Sequence, residues 1–566
     1  MFKSPFILIL CSFGLLIAGC GGGSKTNPAD ILITCIGSAC PASGVSSYAN
    51  TSAQIWTGRN TGDQPIVVDI NFSNLASGQE LAYVFGNGYG ASVNSVPIVG
   101  QPSTVDGSAG KTTPGLSTTP ELRLQGELYA LQQRQDRWRL QKSDSDDRLL
   151  ATLRQQPGFG SSQSAGVPQS SAGPATFAAS ASTPVVGTRK IWFDNSDGET
   201  QPYNTGLMAR CLDGDGREVV VWADDAAVSA GIVNKKATDA FQATLCGAKG
   251  AVSRLGRLIG KVWSPLADPR LIAETSDKLQ SIHVAVISAG TKQGWAGYFN
   301  GVNSFLRSAG FPESNEALVF FINADEMKVS LPYIQSVLIH ELTHMIYWHE
   351  RSVRMGAPRL DTWLTEMSAL MSEDILAPVL VKDAAGQPFQ AILNFRLPAY
   401  MNTGGGVSMV DWAKIEDADP YYSMAGSFGA YLNRQYGLTV FRDLLSECSA
   451  IANGWDCLDK VIKKNGGQSA ADEFNQFGLT VFGLGDTGGP SRKFSFPRKV
   501  DGDYVLEARD LTTLRTYRPA KSGELTRWST GTHAYFTETA NLNIFTFTRR
   551  GITIPPRSQL NIMVRQ

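Results

Sequence analysis

The sequence predicts a multidomain α+β protein: a central domain of mixed sheet and helices, flanked on each side by a small β-sandwich domain. Three observations carry this. The chain has 566 residues, enough for two to four domains. Short apolar runs separated by Gly/Asn turns occupy residues 48–118 and again 488–566. Between them, strand patterns give way to long helical ones over 187–487. Hydrophobic content of 42% supports sizeable cores, and a net charge of −1 leaves no basic footprint for nucleic acid.

Taken from the start, Lys3 precedes an apolar run from Phe6 to Ala18, too short to span a bilayer comfortably. It ends in Ile17-Ala18-Gly19-Cys20 before GGGS, which resembles a bacterial lipobox. The reading is a signal peptide over 1–19, with Cys20 lipidated and serving as the new N-terminus. An uncleaved anchor and an ordinary secretory signal are the alternatives. The chain is therefore expected to be exported and held at the cell envelope by lipid, at the outer membrane if the cell is Gram-negative. Of eight cysteines, Cys11 leaves with the signal and Cys20 takes lipid. Six remain, and pairing neighbours along the chain would join Cys35 with Cys40, Cys211 with Cys246 and Cys448 with Cys457. An even remainder in an exported chain reads as disulfides, with the connectivity open.

Residues 20–47 read as a flexible tether. In 48–118, runs such as QPIVVDINFSNL and QELAYVFGN suggest a β-sandwich. Residues 119–186 hold a polar, leucine-spaced helical stretch, ELRLQGELYALQQRQDRWRLQ, and then low-complexity Gly/Ser/Ala/Pro sequence that marks a linker. The helical stretch either packs on a neighbour or serves as a propeptide-like spacer. From 187, RKIWFDN, GLMARCLD, REVVVWADD and SIHVAVIS read as strands, with amphipathic helices between the third and fourth. The DGDG at 213–216 reads as a hairpin turn, and His283 as a core histidine.

The chemistry centres on SVLIHELTHMIYWHE at 336–350. His340 and His344 stand four apart, one above the other on a helix, and can share a metal ion; Glu341 beside them can take a proton from an activated water. Zinc best suits two imidazoles and a carboxylate. The chain has only five histidines, so a chance His-Glu-x-x-His is unexpected, on the order of a few in a thousand. A third ligand is needed. A histidine six residues after His344 is absent, since Glu350 stands there and His349 is one place short. Asp361 fits a helix cap better than a ligand. Glu366, in the apolar run DTWLTEMSALMSEDI, is the expected third ligand, because a carboxylate among apolar residues needs a metal or a partner. Glu373, two turns further on the same face, is expected to orient a histidine ring.

HELTH followed by WLTEMSALMSE resembles the gluzincin clan of zinc peptidases. The stretch from about Lys190 to Tyr436, with GWAGYFNGVNS, SNEALVFFINAD, HELTHMI and WLTEMSALMSED, is most similar to the hyicolysin-type neutral metalloproteases. Thr365 stands where many members have Asn, which bears on one substrate-side hydrogen bond. The resemblance implies a zincin-like catalytic domain and zinc-dependent endopeptidase activity on protein or peptide substrates. EALVFFINAD looks like the edge strand that pairs with extended substrate in related peptidases. DPYYSMAGSFGAYLNRQYG resembles their tyrosine-bearing helix, with Tyr422 favoured over Tyr421 as oxyanion donor. The rival reading is a surface-binding lipoprotein on an inactive scaffold; a pure binder, however, has no need of Glu341.

Overall fold

The computed structural model describes residues 31–36, 47–49, 55–73, 78–89, 96–99, 126–142, 185–196, 200–266, 268–358, 360–412, 417–484, 495–514, 525, 528–539 and 546–565. The expected signal, Cys20, Cys40 and the low-complexity linker up to 184 lie outside them. Strands β1 (Ile31–Ile36), β2 (Ser47–Ala49), β3 (Ile55–Asn60), β4 (Ile66–Ser73) and β5 (Glu80–Asn87) come first, then helix α1 at 126–142. Next are β6 (Arg189–Asp194), β7 (Gln201–Leu212), β8 (Glu218–Asp224), α2 (Asp225–Ser229), α3 (Lys235–Leu245) and α4 (Ala251–Ile259). Strands β9 (Ile282–Ile287), β10 (Gly297–Phe299) and β11 (Leu318–Asn323) complete the central sheet. Helices α5 (Ala324–Met327), α6 (Leu331–Tyr347), α7 (Thr362–Leu380) and α8 (Leu397–Asn402), strand β12 (Gly405–Ser408) and α9 (Asp419–Tyr436) follow. The chain closes with α10 (Thr439–Glu447), α11 (Gly454–Lys464), α12 (Ala470–Leu479), the hairpin β13 (Lys499–Asp501) and β14 (Tyr504–Leu506), and β15 (Thr532–Thr539), β16 (Thr546–Ile554) and β17 (Gln559–Arg565).

The central sheet runs β10-β11-β9-β8-β7-β6, with β9 parallel to both β8 and β11 and the outer pairs antiparallel. Residues 213–216 connect β7 to β8, and Asp213 Oδ1 accepts from the amides of Asp215 and Arg217 at 2.8 Å each, as a hairpin turn requires. Phe241 of α3 and Leu255 of α4 lie in the core under this sheet. One sequence expectation is corrected here: β11 is interior, not an edge. Every residue of Leu318–Asn323 is buried, the mark of a strand covered on both faces. The outer strand on this side of the sheet is β10, whose Tyr298 and Phe299 pair with Phe321 and Phe320.

The two flanking β-sandwiches are also corrected. Strand β17 lies between β3 and β5 and is antiparallel to both, in a sheet ordered β1-β3-β17-β5-β15-β12. A second sheet, β16-β4-β2, faces it across a core that includes Trp56, Phe72, Phe85, Trp528, Ile552 and Ile562. Both ends of the chain thus build one β unit. Local periodicity reveals that a segment is a strand, but an unpaired strand edge takes whichever partner the whole chain brings to it. The opposite face of the larger sheet, with Val84, Tyr535 and Met563, joins the same core as Phe474 and Phe477 of α12. The β13–β14 hairpin sits on the helical part, where Arg434 of α9 donates to the Glu507 carbonyl at 2.8 Å. Cys211 is bonded to Cys246 and Cys448 to Cys457, with Cα separations of 6.1 and 5.4 Å. No helix among the described residues is long and apolar enough to cross a membrane.

Candidate active site

Helix α6 starts where its sequence says it should. The Ser330 side chain caps it by accepting from the Tyr333 amide at 3.2 Å, and Pro332 occupies its first turn. The helix is buried almost all round, so its polar side chains point only where a neighbouring element receives them. Helix α7 packs alongside it and supplies Glu366 and Glu373. Asp361 takes the N-cap position of α7, but its carboxylate accepts instead from the Gly454 amide at 2.8 Å, at the start of α11.

His340, His344 and Glu366 converge. Glu366 Oε2 lies 3.1 Å from His340 Nε2 and Oε1 lies 3.6 Å from His344 Nε2, and one donor atom from each residue falls within 4.8 Å of the others. Tetrahedral ligands about 2.0–2.2 Å from a first-row divalent ion stand roughly 3.4 Å apart, so this spacing fits such an ion. Burial opposes ionisation of Glu366, yet the two imidazoles outweigh it and hold the carboxyl well below its usual range. His340 is fully buried and braced from behind. Its Nδ1 is 2.7 Å from Glu373 Oε1, while Glu373 Oε2 accepts from Ser336 Oγ at 2.6 Å. His349 points elsewhere, bonded to Ser264 Oγ and the Lys261 carbonyl at 2.9 Å each.

Glu341 sits one residue along, at the wall of a cleft that His344, Glu366, Phe299, Tyr347 and Thr365 also line. Its Oε2 accepts from the Phe299 amide of β10 at 3.0 Å, and its Oε1 accepts from Arg139 Nη2 at 2.6 Å. Arg139 was not singled out by the sequence. It belongs to α1, whose Trp138 and Lys142 also line the cleft. Burial works against the Arg139 charge, but Glu341 and Glu366 more than restore it. The only sequence signal was an aromatic and basic run, DRWRLQK, on an otherwise solvent-type helix.

Tyr422 does not line the cleft. It is fully buried in α9, tilted against Trp412 with ring centroids 4.8 Å apart, and its hydroxyl has no hydrogen-bond partner among the described residues. Burial, then the Glu366 charge, push its pKa well up, so the phenol keeps its proton. Tyr421 is half-buried and meets the edge of Trp412 at 6.2 Å.

Two histidines and a glutamate around one point, with a second glutamate at the adjoining cleft, define a metallopeptidase type of site. The sequence model of peptidase M30 matches residues 199–533, from the second strand of the central sheet into β15. The chain belongs to the peptidase M30 family and is a metallopeptidase. Among curated proteins no match is found.

Proposed function

We propose that the protein is a zinc endopeptidase of the gluzincin type, exported and anchored at the cell envelope through a lipid on Cys20, cleaving extracellular or periplasmic proteins. The observation that carries the reading is the convergence of His340, His344 and Glu366 at ligand spacing beside Glu341. Zinc suits this donor set over harder ions, since two of the three donors are imidazole nitrogens. When bound, the metal would supply Lewis acidity to the scissile carbonyl and to water.

The chain's own residues do the rest. Glu341 takes the proton of the attacking water and delivers it to the leaving nitrogen. Glu373 fixes the tautomer and angle of His340 by holding Nδ1–H, leaving Nε2 free to ligate. The β10 edge offers main-chain groups to an extended substrate, which aligns it without regard to side chains. Tyr422, favoured as oxyanion donor, keeps a protonated hydroxyl with no hydrogen-bond partner among the described residues, but it stands outside the cleft, so the role requires its ring to move into it. The test is Glu341→Gln. The variant is expected to retain zinc by elemental analysis and to lose casein cleavage; a zinc-loaded variant that still cleaves would end the general-base role.

A further inference from the structure

A substrate of this enzyme needs the main-chain groups of the β10 edge and a Glu341 carboxylate free to accept a proton. In the structure both are taken by α1. The Gln135 side chain is a primary amide, and it behaves toward β10 as a peptide unit would. Its Nε2 donates to the Gly297 carbonyl at 2.8 Å, while its Oε1 accepts from the amides of Ala296 and Gly297. One turn on, Arg139 holds Glu341 at 2.6 Å in a buried ion pair. Both oxygens of Glu341 are thereby engaged, one by the Arg139 guanidinium and the other by the Phe299 amide. Trp138, between the two, packs on Trp295 and Tyr298 with ring centroids 6.2 and 5.2 Å away, against the same edge strand.

The helix is fastened at its other turns. Asp136 pairs with Arg396 in the interior, Arg134 with Glu326 at 2.8 Å, and Tyr129 donates to Asp419 at 2.8 Å. Its departure would not strand Arg396, which also donates to Asp419 at 3.3 Å. The Phe299 amide likewise keeps Glu341 as its acceptor. The part of the chain that matches the peptidase family begins at residue 199, so α1 lies outside it.

We propose that α1 is an inhibitory segment seated in the substrate cleft, with Gln135 standing in for a substrate peptide unit and Arg139 sequestering Glu341, and that the active enzyme is the form from which α1 has withdrawn. The proposal rests on the peptidase reading above. Its occupant is a segment of this same chain, and the surface it covers is the substrate's.

The experiment compares zinc-loaded full-length wild type, Arg139→Ala and Gln135→Ala on a casein-derived fluorogenic peptide, with zinc content and circular dichroism measured alongside. Weakening the plug is expected to raise kcat/KM tenfold or more in each variant at unchanged zinc content. A fall, or no change, in Arg139→Ala with zinc and fold retained overturns the proposal and makes α1 a permanent wall of the site. If Arg139→Ala does not fold, Gln135→Ala decides alone, because it leaves every ion pair intact. An active wild type without gain in the variants sinks the inhibition and leaves the peptidase standing. Absence of cleavage in all zinc-loaded forms sinks both.

Discussion

Glu373 spends its two oxygens on two different neighbours, His340 Nδ1 at 2.7 Å and Ser336 Oγ at 2.6 Å, and so is saturated away from the cleft. That is the geometry of a carboxylate that aims a ligand and does not itself ligate. Tyr422 is the opposite case, a buried hydroxyl with no hydrogen-bond partner among the described residues. Removing an unpartnered hydroxyl leaves no orphaned partner, so Tyr422→Phe is expected to fold with unchanged or higher stability. If the hydroxyl serves the oxyanion, kcat falls by about a hundredfold with KM little altered. Steady-state kinetics separates the two, and an unchanged kcat would assign Tyr422 to the core.

At the scale of elements, the site exists because α6 and α7 pack closely enough to aim three side chains at one point, with α9 packed against α7. The α7–α9 contact depends on Gly429: a Cβ there would lie 2.6 Å from Met371 Cγ and 3.3 Å from Met367 Cγ. The same contact is fixed by Asp374, which accepts from Asn433 at 2.9 Å and Arg434 at 2.8 Å. Gly429→Val should therefore force α7 outward and cost about 1–3 kcal/mol by overpacking. Because α7 carries Glu366, metal affinity is expected to drop with it. Unfolding in urea and metal competition with a chelator measure the two effects; intact affinity would mean that α6 alone positions α7. The helical ligand set was legible in the sequence since a fixed 3.6-residue period makes the spacing a geometry. The edge strand was not, because a continuous apolar run such as LVFFIN shows burial without saying which strand lies beside it.

At the scale of the whole molecule, the β unit and the peptidase part share an interior, and His533 stands at the seam. Its ring stacks on Phe474 of α12 at 3.8 Å, an approach possible because Gly478 has no side chain: a Cβ there would meet His533 Nε2 at 2.4 Å. Since the Phe474 carbonyl can only accept, Nε2 carries the proton, and Nδ1 accepts from Tyr400 Oη at 2.8 Å. Burial holds this imidazole neutral, its pKa pushed down from 6.5 to about 3. The unfolded chain binds a proton near 6.5 that the native one refuses until about 3, so the contribution is complete above pH 6.5. It is lost as pH falls, at up to about 1.4 kcal/mol per pH unit. Urea unfolding at pH 7, 5 and 4 is expected to show a steeper loss for wild type than for His533→Gln; equal slopes would place the titration elsewhere.

By itself, the sequence determined the candidate residues and the local elements: HELTH on a helix, Glu366 and Glu373 in an apolar run, and strand after strand in alternating patterns. These follow from local periodicity, which chain neighbours carry among themselves. Only the tertiary structure decided which strands meet, joining residues near 55 to residues near 563 in one sheet, and which helix enters the cleft. Pairing across hundreds of residues depends on edges and surfaces left open by the rest of the fold, and no single window of sequence contains that information.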